Sequence, residues 1–178
     1  MLSRHAILAA LLAAVLSIGL AACGDDDDGG GGESSGTNAS TEQSAPEPVG
    51  DVGTDVNKKP ELGKPSGGPP EKLEKEDIVV GKGKAAKPGD ELTVDYVGVT
   101  FTYGDQFDAS WDNGSPFTFK LGQGQVIQGW DEGVKGMKVG GRRKLTIPAE
   151  LAYGEQGSPP AIPPNEPLVF VIDLRKIG

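Results

Sequence analysis

The last hundred residues of the chain alternate between apolar and polar positions. In ELTVDYVGVTF, residues 91–101, Leu92, Val94 and Tyr96 fall on one side of an extended backbone and Thr93 and Asp95 on the other. PFTFKL, residues 116–121, repeats the pattern with Phe117, Phe119 and Leu121. RRKLTIP (142–148) and PLVFVIDLRKI (167–177) predict two further strands, the second with Leu168, Phe170, Ile172 and Leu174 in register. The period changes once. Trp130, Val134 and Met137 stand at i, i+4 and i+7, which predicts a short helix from near Gly129 to about Met137, with the acidic Asp131 and Glu132 in its first turn. Gly133, Gly136 and the Gly140-Gly141 pair keep that helix short. The class predicted is α+β: an antiparallel, curved five- to six-stranded β-sheet wrapped over one short α-helix.

Such an arrangement leaves an apolar mouth where strand ends, helix start and loops meet. Into it runs YGEQGSPPAIPPNEP, residues 153–167, whose five prolines fix the backbone and remove amide donors, so it reads as a stiff loop. Tyr153 begins the loop and Ile162 lies in its middle. QVIQGWDEG, residues 125–133, places Val126 and Ile127 ahead of the helix and Trp130 in its first turn. A tryptophan there anchors a core or floors a pocket.

The rest of the chain differs in kind. MLSRHAILAALLAAVLSIGLAAC has one arginine near its start, then an apolar stretch from Ala6 to Ala22 that is short for a membrane span. It reads as an export signal over residues 1–22. Its end, LAAC at residues 20–23, resembles the bacterial lipobox, which implies that Cys23 carries the lipid and becomes the mature N-terminus. Residues 23–77 then read as the lipidated cysteine and a disordered acidic, Gly- and Pro-rich linker, and 78–178 as the folded domain. All ten aromatic residues lie between Tyr96 and Phe170. Residues 24–77 hold none, so they bury too little apolar surface to offset the entropy of ordering. A flexible coil of that length would reach on the order of 40 Å. Residues 24–77 carry 14 acids and 5 lysines, whereas 78–178 carry 12 acids and 11 bases, so the acidity belongs to the tether.

Several chemistries fall away. Cys23 and His5 are the single cysteine and histidine, both in the amino-terminal segment, so a processed chain has no imidazole and no free thiol. Disulfides, thiol or triad nucleophiles and His/Cys metal sites are thereby excluded for one chain, and no cofactor is expected. The run Asp25–Asp28 lacks the spaced ligands and closing glutamate of a calcium loop. A near-neutral domain behind an acidic tether does not suit nucleic acid.

Four segments in one order closely resemble the FKBP-type peptidyl-prolyl isomerases: DYVG at 95–98, FDAS at 107–110, PFTFKLGQGQVIQGWDEGVKGMKVGGRRKLTIP at 116–148, and AYGEQGSPPAIPPNEPLVFVIDL at 152–174, set within 78–178. The resemblance implies a prolyl pocket walled by Tyr96, Phe107, Phe117, Trp130, Tyr153 and Phe170, with Trp130 as floor. It places Val126 and Ile127 at the entrance, Ile162 on the overhanging loop, and Asp108 at the rim near Tyr96. It further implies that the Ile127 amide and the Tyr153 hydroxyl hold substrate carbonyls. Asn113, Gln125 and Ser158 stand where the family commonly has arginine, glutamate and histidine, which bears on macrolide affinity and peptide preference.

The function expected is therefore a peptidyl-prolyl cis-trans isomerase acting on proline-containing polypeptides among exported proteins, a monomer held outside the cytoplasm by the lipid on Cys23, with macrolides as inhibitors. The alternative is a noncatalytic peptide-binding module on the cell surface; a turnover assay separates the two. Rotation of an X-Pro bond makes and breaks no covalent bond, so a chain without nucleophile or metal suits it.

Overall fold

The structure is a computed structural model and describes residues 52–178. The signal segment, Cys23 and the linker up to residue 51 lie outside the described residues. Six strands form one antiparallel sheet: β1 (Glu74–Val79), β2 (Glu91–Thr100), β3 (Gln106–Ala109), β4 (Phe117–Lys120), β5 (Arg142–Ile147) and β6 (Leu168–Ile177), in the order β1-β5-β6-β2-β3, with β4 also on β2. The long strands β2 and β6 pair from Leu92↔Ile177 to Thr100↔Leu168. Because side chains alternate, this register puts Leu92, Val94, Tyr96, Phe170, Ile172 and Leu174 on one face, all buried in a single core.

β3 and β4 share β2, one pairing with its Val97–Val99 end and the other with Glu91–Val94. Between them the chain leaves the sheet through a single helical turn, α1 (Ser110–Asn113). Asp108 lies in β3 just before that detour, which holds Asn113 and returns at Phe117.

The helix predicted from Gly129 to Met137 is shorter: α2 spans Gln128–Gly133, and a turn then carries Val134 and Met137 into the core. Gly136, at φ 79, takes a left-handed conformation that ends the helical path. Two glycines let α2 lie directly on β5. A Cβ at Gly129 would stand 2.4 Å from Ile147 Cγ2, and one at Gly133 2.5 Å from Leu145 Cδ1. Asp131 accepts the amides of Gly122 (2.8 Å) and Gly124 (3.0 Å), tying the preceding turn to the helix. Arg143 donates to the Gly133 carbonyl at 2.8 Å, satisfying one of the acceptors that a helix end leaves open.

A disordered linker through residue 77 was the expectation, and the structure corrects it for residues 52–77. Lys75 and Glu76 pair in β1 with Leu145 and Lys144 of β5. Residues 52–62 form a strap over the outer sheet face, where Pro60 is buried and Lys59 to Leu62 lie beside Val97 and Val99. The strap is fastened by Arg142, which is 1 % exposed. Its guanidinium donates to Asp173 (2.7 and 2.8 Å) and to the carbonyls of Val52 (2.6 Å), Gly53 (3.0 Å) and Lys58 (2.7 Å). A buried arginine has no acceptor capacity and needs every N–H matched, and the strap carbonyls supply what Asp173 alone cannot.

Candidate functional site: an aromatic cavity

At the end of the sheet nearest α1, the rings of Tyr96, Phe107, Phe117, Trp130 and Phe170 converge. Tyr96 meets Trp130 edge-on at 5.1 Å between centroids, Trp130 meets Phe170 at 5.2 Å and 87°, and Phe107 meets Phe170 at 5.5 Å and 88°. Edge-to-face contacts place the positive rim of one ring on the negative face of the next, so the set is rigid as well as apolar. Gly98 makes this possible, because a Cβ there would lie 2.6 Å from the Phe170 ring and 2.8 Å from that of Phe107.

The rings enclose a cavity of about 240 Å³. Its lining contains Tyr96, Phe107, Asp108, Phe117, Val126, Ile127, Trp130, Tyr153 and Phe170, that is, all but one of the residues singled out in the sequence. Ile162 is the exception: it is 3 % exposed within the core, held by reciprocal backbone hydrogen bonds with Ser158, and does not line the cavity. Gln125, noted only as a rim difference, does line it, and its Oε1 accepts the Lys120 amide at 2.8 Å. Trp130 is 4 % exposed and forms part of both core and cavity wall, so the two roles considered for it coincide. A larger cleft of about 720 Å³ lies between residues 65–76 and the outer face of β5, but its lining is mostly proline, lysine and glutamate, without converging rings.

The polar groups around the cavity divide into spent and unspent. The Tyr96 hydroxyl donates to Asp108 Oδ2, and Asn113 Nδ2 donates to Asp108 Oδ1 at 3.3 Å. Burial, and then the hydrogen bond to Asp108, push the Tyr96 phenol well above the ordinary tyrosine value, which keeps it protonated and a donor. The backbone beneath is braced: the Tyr96 amide donates to Ser110 Oγ (2.9 Å), Ser110 to Asp95 (3.0 Å), and Arg175 to Asp95 (2.6 Å). By contrast, the Ile127 N–H and the Tyr153 hydroxyl have no partner among the described residues. Tyr153 is 42 % exposed and Phe117 39 %, so both reach solvent at the mouth.

An apolar box with free donors, the Ile127 N–H and the Tyr153 hydroxyl among them, can grip a small ring and receive carbonyl oxygens beside it. Among the described residues it contains no cysteine or histidine, and no group of acids placed to hold a metal.

Comparison with known proteins agrees with this architecture. Residues 82–175 match the FKBP-type peptidyl-prolyl cis-trans isomerase family. An FK506-binding protein of Streptomyces anulatus is 56 % identical over 117 residues, covering 65 % of this chain and 94 % of that one. Peptidyl-prolyl cis-trans isomerase FPR2 of Saccharomyces cerevisiae is 54 % identical over 89 residues, 50 % of this chain and 66 % of its own. Among solved structures, AtFKBP13 superposes with a TM-score of 0.56 at 40 % identity, covering 60 % of this chain and 93 % of that one. FkpA from Escherichia coli gives 0.54 at 45 %, covering 59 % and 47 %. The order of strands, the ringed cavity and these relatives together settle the family: the chain belongs to the FKBP-type peptidyl-prolyl cis-trans isomerases.

Proposed function

We propose that the aromatic cavity is the prolyl site of this isomerase, with Tyr96, Phe107, Phe117, Trp130 and Phe170 around the proline ring. The observation that carries the reading is the pairing of a set of converging rings with unspent donors that include the Ile127 N–H and the Tyr153 hydroxyl. Turning an X-Pro amide through its twisted state costs its resonance, and the uncatalysed change takes tens to hundreds of seconds. A dry pocket that holds the ring fixes one side of the rotating bond. Donors at the rim hold the neighbouring carbonyls, and their grip is strongest where the twisted amide has lost conjugation. Tyr96 serves as wall and as anchor of Asp108, its proton committed there. No step transfers a proton or forms a covalent bond.

The wider role belongs to the same proposal. Cys23 carries a lipid that holds the protein on the extracytoplasmic face of the membrane, and the substrates are proline-containing polypeptides among exported proteins. The export-like segment and the LAAC tetrapeptide support this. Macrolides such as FK506, which give several relatives their names, compete for the same cavity. Equilibrium NMR exchange on an Ala-Leu-Pro-Phe peptide tests the site: added protein speeds the exchange and FK506 suppresses it. Exchange left at the uncatalysed rate would reject the reading and favour a binding module. For the tether, Cys23→Ala moves the protein from the membrane to the soluble fraction with turnover unchanged; retention after a carbonate wash would reject the lipid anchor.

A further inference from the structure

Asp108 is the single charged residue in the lining of the aromatic cavity. Five aspartates elsewhere on the domain are matched with cations: Asp77 with Arg143, Asp90 with Lys84, Asp95 with Arg175, Asp112 with Lys59 and Asp173 with Arg142. Asp105, Asp131 and Asp108 have no ion pair among the described residues, and of these three only Asp108 lines the cavity. Its two oxygens are met by a phenol and a carboxamide, both neutral, and no lysine or arginine among the described residues comes within ion-pair distance. Asp112, four residues on, draws both Lys59 and Gln106 to itself and leaves none for the rim. The one other polar side chain of the lining besides the tyrosines, Gln125, is neutral and its oxygen is spent on a backbone amide.

The cavity is small, about 240 Å³, and lined by rings. A proline ring that enters it leaves its sequence neighbours lying across the rim, where Asp108 stands half-buried and uncompensated. We infer that this lone carboxylate selects substrates by charge: X-Pro segments with lysine or arginine beside the proline are turned over faster than those with glutamate or aspartate. This rests on the cavity being the prolyl site. Two charges several ångströms apart at the edge of a protein interact at an effective dielectric between that of the surface and that of water, which gives a lysine-over-glutamate preference of about three- to tenfold in kcat/KM. The same physics makes the preference fade as salt shortens the screening length.

The test uses the full chain in non-ionic detergent and NMR exchange on tetrapeptides in which the residue before the proline, or the one after it, is leucine, norleucine, lysine or glutamate. The leucine peptide reports on the prolyl site itself: no acceleration there rejects that reading, separately from the charge inference. With leucine turned over, the expected order at about 20 mM salt is lysine above norleucine above glutamate at one flanking position, converging at about 0.5 M. In Asp108→Asn the lysine-to-glutamate ratio falls to about one, whatever happens to overall turnover. Equal rates for lysine and glutamate at low salt, a ratio indifferent to salt, or a ratio that survives Asp108→Asn would each overturn the inference. If the variant fails to fold, the salt series on the unaltered protein decides alone.

Discussion

Replacing Gly129 by alanine tests how the helix is seated beneath the cavity. The new Cβ would lie 2.4 Å from Ile147 Cγ2 and 2.9 Å from Ile147 Cδ1, against a comfortable carbon–carbon separation of about 3.5–4.0 Å. Either α2 lifts from β5 by about an ångström or Ile147 leaves its rotamer, and overpacking of this kind costs about 1–3 kcal/mol. Alanine returns about 1 kcal/mol through its better helix propensity. The balance is a net loss of up to about 2 kcal/mol, read from urea unfolding followed by circular dichroism. Turnover should fall more than stability suggests, because Trp130 is the next residue and its ring is part of the cavity wall. A double-mutant cycle isolates the clash. Ile147→Ala alone costs about 2–5 kcal/mol, but in the Gly129→Ala background it costs at least about 1 kcal/mol less, since the added methyl occupies the space vacated. Gly68→Ala is the control, with nothing within 4 Å of its Cβ, and should change stability by under about 0.5 kcal/mol. A Gly129→Ala protein more stable than the parent, or an additive cycle, would refute the close-contact argument.

Three further outcomes follow from the geometry. A chain beginning at residue 63 loses the three strap carbonyls on Arg142 and uncovers Val97 and Val99, so its stability drops by about 2–3 kcal/mol in a denaturant melt, while a chain beginning at residue 52 matches the full chain. The Tyr96 pKa is raised on folding, so its contribution is complete below about pH 10, the unfolded value, and is lost as pH rises beyond it; Tyr96→Phe should show a smaller fall in stability between about pH 9 and 11 than the parent. Isomerase turnover stays flat between about pH 5.5 and 8, where ordinary carboxylates and tyrosines keep their charge, and a bell-shaped profile would expose a proton-transferring group absent from this account.

Legibility in the sequence followed the strength of alternation. The strands around Tyr96, Phe119, Leu145 and Phe170 could be read because one face is core and their side chains alternate. β1 could not, since Glu74 to Asp77 are all exposed and an edge strand of this composition resembles linker. The strap has a signal in the sequence: Val97 and Val99 are apolar on the face opposite Leu92 and Val94, and a strand apolar on both faces requires a cover on both. Helix length was overestimated because Val134 and Met137 keep helical spacing although Gly136 turns the chain before Met137. Gly129 reads as a helix start and Gly133 as a helix breaker, whereas both are points of contact with β5, a role that depends on what lies opposite. The residues of the cavity were found through the resemblance and their aromatic character. The burial of Ile162 depends on the backbone pairing of its loop with Ser158, which proline spacing does not reveal.

The most direct measurement is the exchange rate of an X-Pro peptide with Phe107→Leu set beside the parent. Phe107 is half-buried, touches Phe170 at 5.5 Å and lines the cavity, so leucine keeps much of the packing while removing one aromatic wall. If the ring-lined cavity holds the proline, kcat/KM falls about tenfold, a loss of about 1.4 kcal/mol in transition-state binding, with the fold intact by near-UV circular dichroism. A folded Phe107→Leu protein with undiminished turnover would contradict the account and place catalysis elsewhere.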